Sequence, residues 1–383
     1  MSTTTTFNYD DSNDRVYSET ALNIVKSAGS LFKNRLNRTQ QIDNINKAYK
    51  AKKLVLVLGA GVSIDHGLPD WNTLLQKLLF NALKDNELET NNEPLSVLAE
   101  LFTKVFSPNP LIAARYLKNQ FERKRSASLK AYPRSKRKKQ FVFEEEVRKA
   151  LYDRFDKGHS SYFFEEMQLI CHPSNSGSID SVITYNYDDI LEQYLAESET
   201  ATTSFKLIAT AGVNPKVGDI PIYHVNGFLP HSNKYNIEKI ILSEDTYHEL
   251  YKDNYNWSNF LQVNKFKDFT CLFIGISLGD PNLRRLLDIA KQLRGNQRIQ
   301  HYIIQQRNDP ENTKKKMECC LNTYRDLMKR KLLSHLDFDK TNEALAKLMD
   351  EIKENDALSF GLSTIWINDF EEIPHLLNCI KNN

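Results

Sequence analysis

The stretch LVLVLGAGVS, Leu54 to Ser63, constrains this chain more than any other. Five consecutive aliphatic residues leave no polar face, so the strand they form is covered on both sides, as central parallel strands are. Gly-Ala-Gly then ends the strand in a tight turn. Without a Cβ at Gly59 and Gly61 the backbone can turn sharply and approach a ligand, and the following amides can donate to phosphate oxygens. Glycine also serves packing alone in strand-to-helix turns, and a bare G-x-G divides roughly evenly between the two readings. Two familiar nucleotide sites are disfavoured. Ile64 stands where G-x-G-x-x-G wants its third glycine, which argues against hydride-transfer enzymes of that type. No Gly-Lys-Ser/Thr follows, so the phosphate loop of nucleotide triphosphatases is excluded too.

The rest of the 383 residues extends this strand into a sheet. Short strands are expected at Ser181–Thr184, Pro221–Gly227, Cys271–Leu278, Gln300–Gln306 and Ser363–Asp369. Helical segments separate them. Asp70 can cap the helix that carries Leu74, Leu75, Leu78, Leu79 and Ala82 on one face, and Ser243 can cap another. DPNLRRLL starts a third, with Asp280 at the cap, Pro281 at the first helical position, and Leu283, Leu286, Leu287 and Ala290 as its buried stripe. Strands alternating with helices predict an α/β fold, a doubly wound parallel sheet of Rossmann-like type. Three regions follow: a polar and helical N-terminal segment at 1–49, the sheet domain at 50–310 with a helical insertion at 84–150, and a helical C-terminal region at 311–383 whose last strand packs on the same domain.

Composition narrows the class. A formal net charge of +2 gives no global argument for nucleic acid, and 40% hydrophobic residues permit a substantial core. The five cysteines form no C-x-x-C pair, so no zinc ribbon and no bound metal are expected. Their odd number and irregular spacing fit a reducing compartment. No leader pattern opens the chain, and no apolar run reaches the ~18 residues of a membrane helix. The expectation is a soluble, cytoplasmic protein that does not meet a membrane.

One segment departs from this even balance. Arg123 to Lys139 carries nine Lys/Arg and no acid. Such a run can bind nucleic acid by releasing counterions, or an anionic protein surface, but a solvated loop is the more common outcome. Tyr132 is its only aromatic, so stacking on single strands is poorly supported.

Four stretches, in order, resemble the signatures of sirtuin-like NAD-binding proteins: GAGVSIDHGLPDW at 59–71, TYNYD at 184–188, YHVNG at 223–227 and FIGISLGDPNLRRLL at 273–287. The last is similar to the branch found in bacterial anti-phage defence systems. The resemblance implies that NAD is the substrate and that residues 50–310 bind it. Gly59, Ala60, Gly61 and Ser63 would hold phosphate and ribose. Gly-Leu-Pro would open a mobile loop over the nicotinamide, with Asp70 and Trp71 beside it, although core packing explains Trp71 equally well. Gly275, Ser277 and Leu278 would cradle the adenosine half.

Breaking the nicotinamide–ribose bond passes through an oxocarbenium-like state and needs a group that places a nucleophile, together with a base. The resemblance puts Asn186 in the first role; its amide can donate and accept at once. Asp188 would orient the ribose or the glycine-rich segment. The base is less clear. In typical sirtuins a histidine directly precedes the glycine, whereas here Asn226 precedes Gly227 and His224 lies two residues earlier. Residues two apart on a strand share a face, so both can line the pocket. Three readings stay open: His224 is the base, Asn226 is an engineered substitution that traps bound NAD, or the chain is a catalytically weak NAD sensor.

The absence of the paired cysteines of the deacylase zinc module favours NAD glycohydrolysis, giving nicotinamide and ADP-ribose. The alternatives are an NAD-dependent protein deacylase and a non-enzymatic NAD- or ADP-ribose-binding subunit. The resemblance further implies gating by a separately encoded partner, such as a hexameric DNA-translocating ATPase or an Argonaute-like protein. Helical surface beyond what the sheet needs as cover predicts a homo-oligomer.

Overall fold

The computed structural model describes residues 36–84, 101, 109–131, 142–156, 158–172, 177–197, 204–232, 234–253, 255–295, 299–323 and 338–382. Its seven strands are β1 (Leu54–Leu58), β2 (Ile179–Thr184), β3 (Phe205–Ile208), β4 (Ile220–His224), β5 (Thr270–Ile274), β6 (His301–Gln306) and β7 (Leu362–Ile367). They form one all-parallel sheet in the order β3-β4-β2-β1-β5-β6-β7. The helices are α1 (Arg38–Lys50), α2 (Trp71–Lys84), α3 (Pro110–Ala131), α4 (Val142–Leu151), α5 (Tyr162–Cys171), α6 (Ile190–Glu197), α7 (Glu244–Lys252), α8 (Trp257–Asp268), α9 (Pro281–Arg294), α10 (Pro310–Thr323), α11 (Phe338–Ser359) and α12 (Glu372–Asn382).

The aliphatic run of β1 is buried throughout and sits at the centre of the sheet. Its side chains alternate between two cores. Leu54, Leu56 and Leu58 face one layer, with residues of α1, α2, α5 and α12. Val55 and Val57 face the other, with Phe266 of α8, Leu283, Leu286, Leu287 and Ala290 of α9, and Ala357 of α11. Each such side chain contributes about 1.5–3 kcal/mol on burial. The expected doubly wound α/β sheet is therefore the observed fold.

The chain moves from β1 outward through β2 to β3 and β4, and only afterwards places β5 on the opposite side of β1. That reversal opens a crevice beyond the carboxyl ends of β1, β2 and β5, where open α/β sheets bind ligands.

Local signals set the helix starts. Asp70 Oδ1 accepts from the Thr73 amide at 2.8 Å, and Asp280 Oδ1 accepts from the Leu283 amide at 2.7 Å. Ser243 and Thr246 close a capping box on α7. Two features differ from expectation. β3 was not anticipated, because it is a four-residue edge strand, partly exposed and interrupted by Lys206. The glycine turn does not run straight into a helix. Two 3-10 turns, Ala60–Val62 and Ile64–His66, and a left-handed Gly67 precede α2.

The insertion expected at 84–150 contributes α3 and α4; residues 85–100, 102–108 and 132–141 lie outside the described residues, and with them positions 132–139 of the basic run. Among the described residues, no helix is long and apolar enough to cross a membrane.

Candidate functional site

A cleft of about 700 Å³ opens at the switch point. The loop after β1 supplies Gly59, Ala60, Gly61 and Ser63, and the segment leading into α2 supplies Asp70 and Trp71. The loop after β2 brings Asn186 and Asp188, the loop after β4 brings Asn226, and the loop after β5 brings Gly275 and Ser277. Eleven of the thirteen residues singled out from the sequence thus line one cavity, drawn from four strand ends. His224 and Leu278 do not line it.

The glycines have a packing reason that the sequence left open. A Cβ on Gly59 would stand 2.7 Å from the Gly275 carbonyl oxygen, and one on Gly61 would stand 2.8 Å from the Gly275 Cα. Gly275 itself has φ +64, and a Cβ there would meet the Val62 amide at 2.7 Å. The loops after β1 and β5 therefore touch backbone to backbone. The amides of Gly59 and Gly61 donate to Ile274 and Gly275 carbonyls, and those of Val62 and Ser63 donate to Gly59 and Ala60. These four amides are committed to the turn, so they are not the free phosphate donors the sequence suggested; the 3-10 geometry uses them to hold the loop closed.

A hydrogen-bonded chain crosses the cleft wall. The Asn186 side-chain amide donates to Ser63 Oγ at 3.1 Å, and Ser63 Oγ donates to Asp188 Oδ2 at 3.0 Å. Asp188 Oδ1 accepts from the Ile190 amide at 3.2 Å. Asn186 is 9% exposed, Asp188 7% and Asn226 6%, so all three present small polar faces to the cavity from well-packed positions. Burial pushes the Asp188 carboxyl up to about 6, against the pull of the Ile190 amide and the Ser63 hydroxyl. Of the two roles expected of Asp188, the protein's own contacts supply the second: it fastens Ser63 of the glycine-rich segment.

His224 lies beneath this wall. It is 1% exposed; its Nε2 meets Glu192 Oε1 at 2.7 Å and its Nδ1 meets the Asn186 carbonyl oxygen at 3.2 Å. Both ring nitrogens face acceptors, so both carry protons when Glu192 is ionised. Burial lowers the imidazole pKa, but the Glu192 carboxylate and the two hydrogen bonds outweigh it and the net shift is upward. A ring so held has no nitrogen to offer the cleft. This geometry counts against the reading of His224 as the working base. The strand periodicity that put His224 and Asn226 on one face ends with β4 at His224, and the backbone turns before Asn226. Leu278 is also redirected: its side chain packs in the core under α9, and its carbonyl accepts from Arg284.

Trp71 serves both readings, since it packs against the core and lines the cleft. Its indole nitrogen is buried with no hydrogen-bond partner among the described residues.

The sequence missed several wall residues. Tyr185 and Tyr187 flank Asn186 inside the very motif that was singled out. Tyr247 reaches from α7 and donates to Asp280, whose cap role was anticipated but not its place in the cleft. Burial, with the nearby Asp280 charge, pushes all three tyrosine hydroxyls up, so they are donors at neutral pH. Among the described lining residues stand three carboxylates, Asp70, Asp188 and Asp280, and no lysine or arginine. Among the described residues, no cluster of His, Cys, Asp and Glu could hold a metal ion.

Two comparisons with known proteins bear on this site. Residues 180–325 match the model of the SIR2-like domain. The chain is also 26% identical over 208 residues to a protein named NAD(+) hydrolase ThsA from Enterococcus faecium, an alignment covering 53% of this chain and 38% of that protein. The chain thus spans well under half the length of the curated relative it matches. With a seven-stranded parallel sheet and a cleft at its switch point, these matches bear out the likeness carried by the four motifs: the chain resembles the sirtuin-like NAD-binding proteins, with a SIR2-like domain matched at residues 180–325.

Proposed function

We propose that this chain is an NAD glycohydrolase that cleaves NAD to nicotinamide and ADP-ribose and so depletes NAD as the effector of a bacterial anti-phage defence system. The observation that carries the reading is the Asn186–Ser63–Asp188 chain in the wall of the switch-point cleft. In this reading the interlocked glycine turn and β5 loop form the floor on which the diphosphate and adenosine half lie, and Asn186 faces the nicotinamide ribose. A cleft with three carboxylates and no cation among its described lining residues suits a reaction that gathers positive charge at the ribose carbon. The similarity to a protein named as an NAD(+) hydrolase supports the same substrate. Nicotinamide release from NAD by the purified chain, without any acyl-peptide, tests the proposal. Deacylation of an acyl-lysine peptide with no NAD loss in its absence would overturn it.

One observation favours a second reading. Asn226 stands where the resemblance expects histidine, and the nearby His224 is sealed in the core. A non-enzymatic NAD- or ADP-ribose-binding subunit fits those two facts. Asn226→His separates the readings: a chain that binds NAD, releases no nicotinamide, and is switched on by that substitution is the binding subunit. In the hydrolase reading, turnover is held low until a separately encoded protein engages the chain, because free NAD hydrolysis would drain the cell. A purified chain already at full rate, unchanged by any co-encoded protein, would count against gating.

A further inference from the structure

We propose that Asp188 is the general base of this cleft, taking the proton of the attacking water while Asn186 holds the water's oxygen. The inference rests on the glycohydrolase reading and adds the group that the missing histidine would otherwise supply.

Hydrolysis releases one proton. The water oxygen bonds to the ribose carbon, the carbon–nitrogen bond to nicotinamide breaks, and its electron pair neutralises the positively charged ring nitrogen. The water's proton must pass to a base within hydrogen-bond reach. Few side chains qualify. The three wall tyrosines hold their protons at neutral pH. Asp280 caps α9, with its oxygens on the Leu283 amide and the Tyr247 hydroxyl, and among the described residues it has no hydrogen-bonded link to Asn186. Asp70 is exposed to solvent and caps α2. His224 presents neither nitrogen.

Asp188 remains. It lines the cavity two residues from Asn186 and is tied to it through a single hydroxyl. Ser63 Oγ accepts from Asn186 and donates to Asp188, so one hydrogen-bond polarity runs through all three groups and ends on the carboxylate. The charged groups around it come from several elements. Glu192 on α6 raises its affinity for a proton and His224 at the end of β4 lowers it. The Tyr152 hydroxyl, just beyond α4, also feels the Asp188 charge. A carboxyl set at about 6 is ionised at neutral pH yet basic enough to accept a proton in the transition state.

The experiment is nicotinamide release by the full-length chain, at enzyme concentrations that register slow basal turnover, from pH 5 to 8. The wild-type rate should fall about tenfold per pH unit below the Asp188 pKa. Asp188→Asn should lose at least ~10²-fold and become flat in pH, while binding NAD within a few-fold of wild type. Ser63→Ala removes a hydrogen bond that lowers the Asp188 pKa, so it should move the acidic limb to higher pH. His224→Gln should slow the chain but keep the limb. An Asp188→Asn chain within tenfold of wild type, or one that keeps the limb, overturns the proposal. So does an unmoved limb in Ser63→Ala, a readout that stands if Asp188→Asn does not fold. A wild-type chain that binds NAD and releases no nicotinamide overturns the hydrolase reading itself, and the role of Asp188 with it.

Discussion

Asn186 and His224 share a hydrogen bond but belong to different tasks. Asn186 turns its side chain to the cleft and its carbonyl to the core, where His224 holds it. Asn186→Ala is therefore expected to lower nicotinamide release by at least ~10²-fold, the scale of a positioned catalytic group, with little change in melting temperature. His224→Ala should act on the fold. It leaves Glu192 as an unpaired carboxylate at a 1% exposed position, and breaking such a buried pair costs about 3–5 kcal/mol. Chemical denaturation of both variants beside the NAD assay checks the division. A stable His224→Ala chain that has lost all turnover would return His224 to the catalytic machinery. The histidine was visible in the sequence, but its pairing was not, because Glu192 lies 32 residues away on another element.

At the level of elements, the contact between the β1 and β5 loops is what gives the cleft its shape. Gly59, Gly61 and Gly275 interlock across it, and no larger residue fits without moving backbone. Gly275→Ala suffers both a left-handed φ and a clash with Val62. Gly218→Ala, at φ +95 with open space around it, suffers the φ alone. The left-handed region costs about 1–2 kcal/mol for a residue with a Cβ. Thermal melts should therefore show a modest loss for Gly218→Ala and a larger one for Gly275→Ala. Equal losses would mean that the loops part readily and that the glycines answer to a ligand rather than to packing. Helix starts were legible because a cap is a local bargain between one side chain and amides two or three residues on, as at Asp70, Ser243 and Asp280. Edge strand β3 was not, since its pairing with β4 depends on residues some fifteen positions away.

For the whole molecule, α11 is oriented against its own pattern. Asn342, Asp350, Glu351 and Glu354 are buried, while Leu345, Met349 and Ile352 are exposed and Leu348 is half-buried. The polar side is held by specific partners: Asp350 accepts from the Asn308 amide at 3.0 Å, Glu354 accepts from the Trp366 indole at 3.3 Å, and Asp356 takes Arg284 on both oxygens at 2.7 and 2.8 Å. Among the described residues, this apolar stripe is therefore not packed into the core. A homo-oligomer that covers it is the expected state, and light scattering should give a mass above the 44.4 kDa of one chain. A monomer across micromolar concentrations would remove the claim. Charge reversal at Met349 or Ile352 should return an oligomer to monomers. Neutralising Lys136 to Lys139 should weaken nucleic-acid or partner binding while the sheet stays folded; unchanged binding would make that run a solvated loop.

The sequence by itself determined the class of fold, the central strand, the helix caps and eleven of the residues around the cleft, because each rests on neighbours a few positions apart or on a motif whose spacing is rigid. Only the tertiary structure decided which polar groups meet. It sealed His224 behind Asn186, threaded Asn186 to Asp188 through Ser63, and set the glycines of two distant loops against each other. Those contacts span 38 to more than 200 residues of chain, and burial then sets the proton affinity of each group. A sequence names the side chains that can carry charge. The packing around them decides which one, at neutral pH, is free to take a proton.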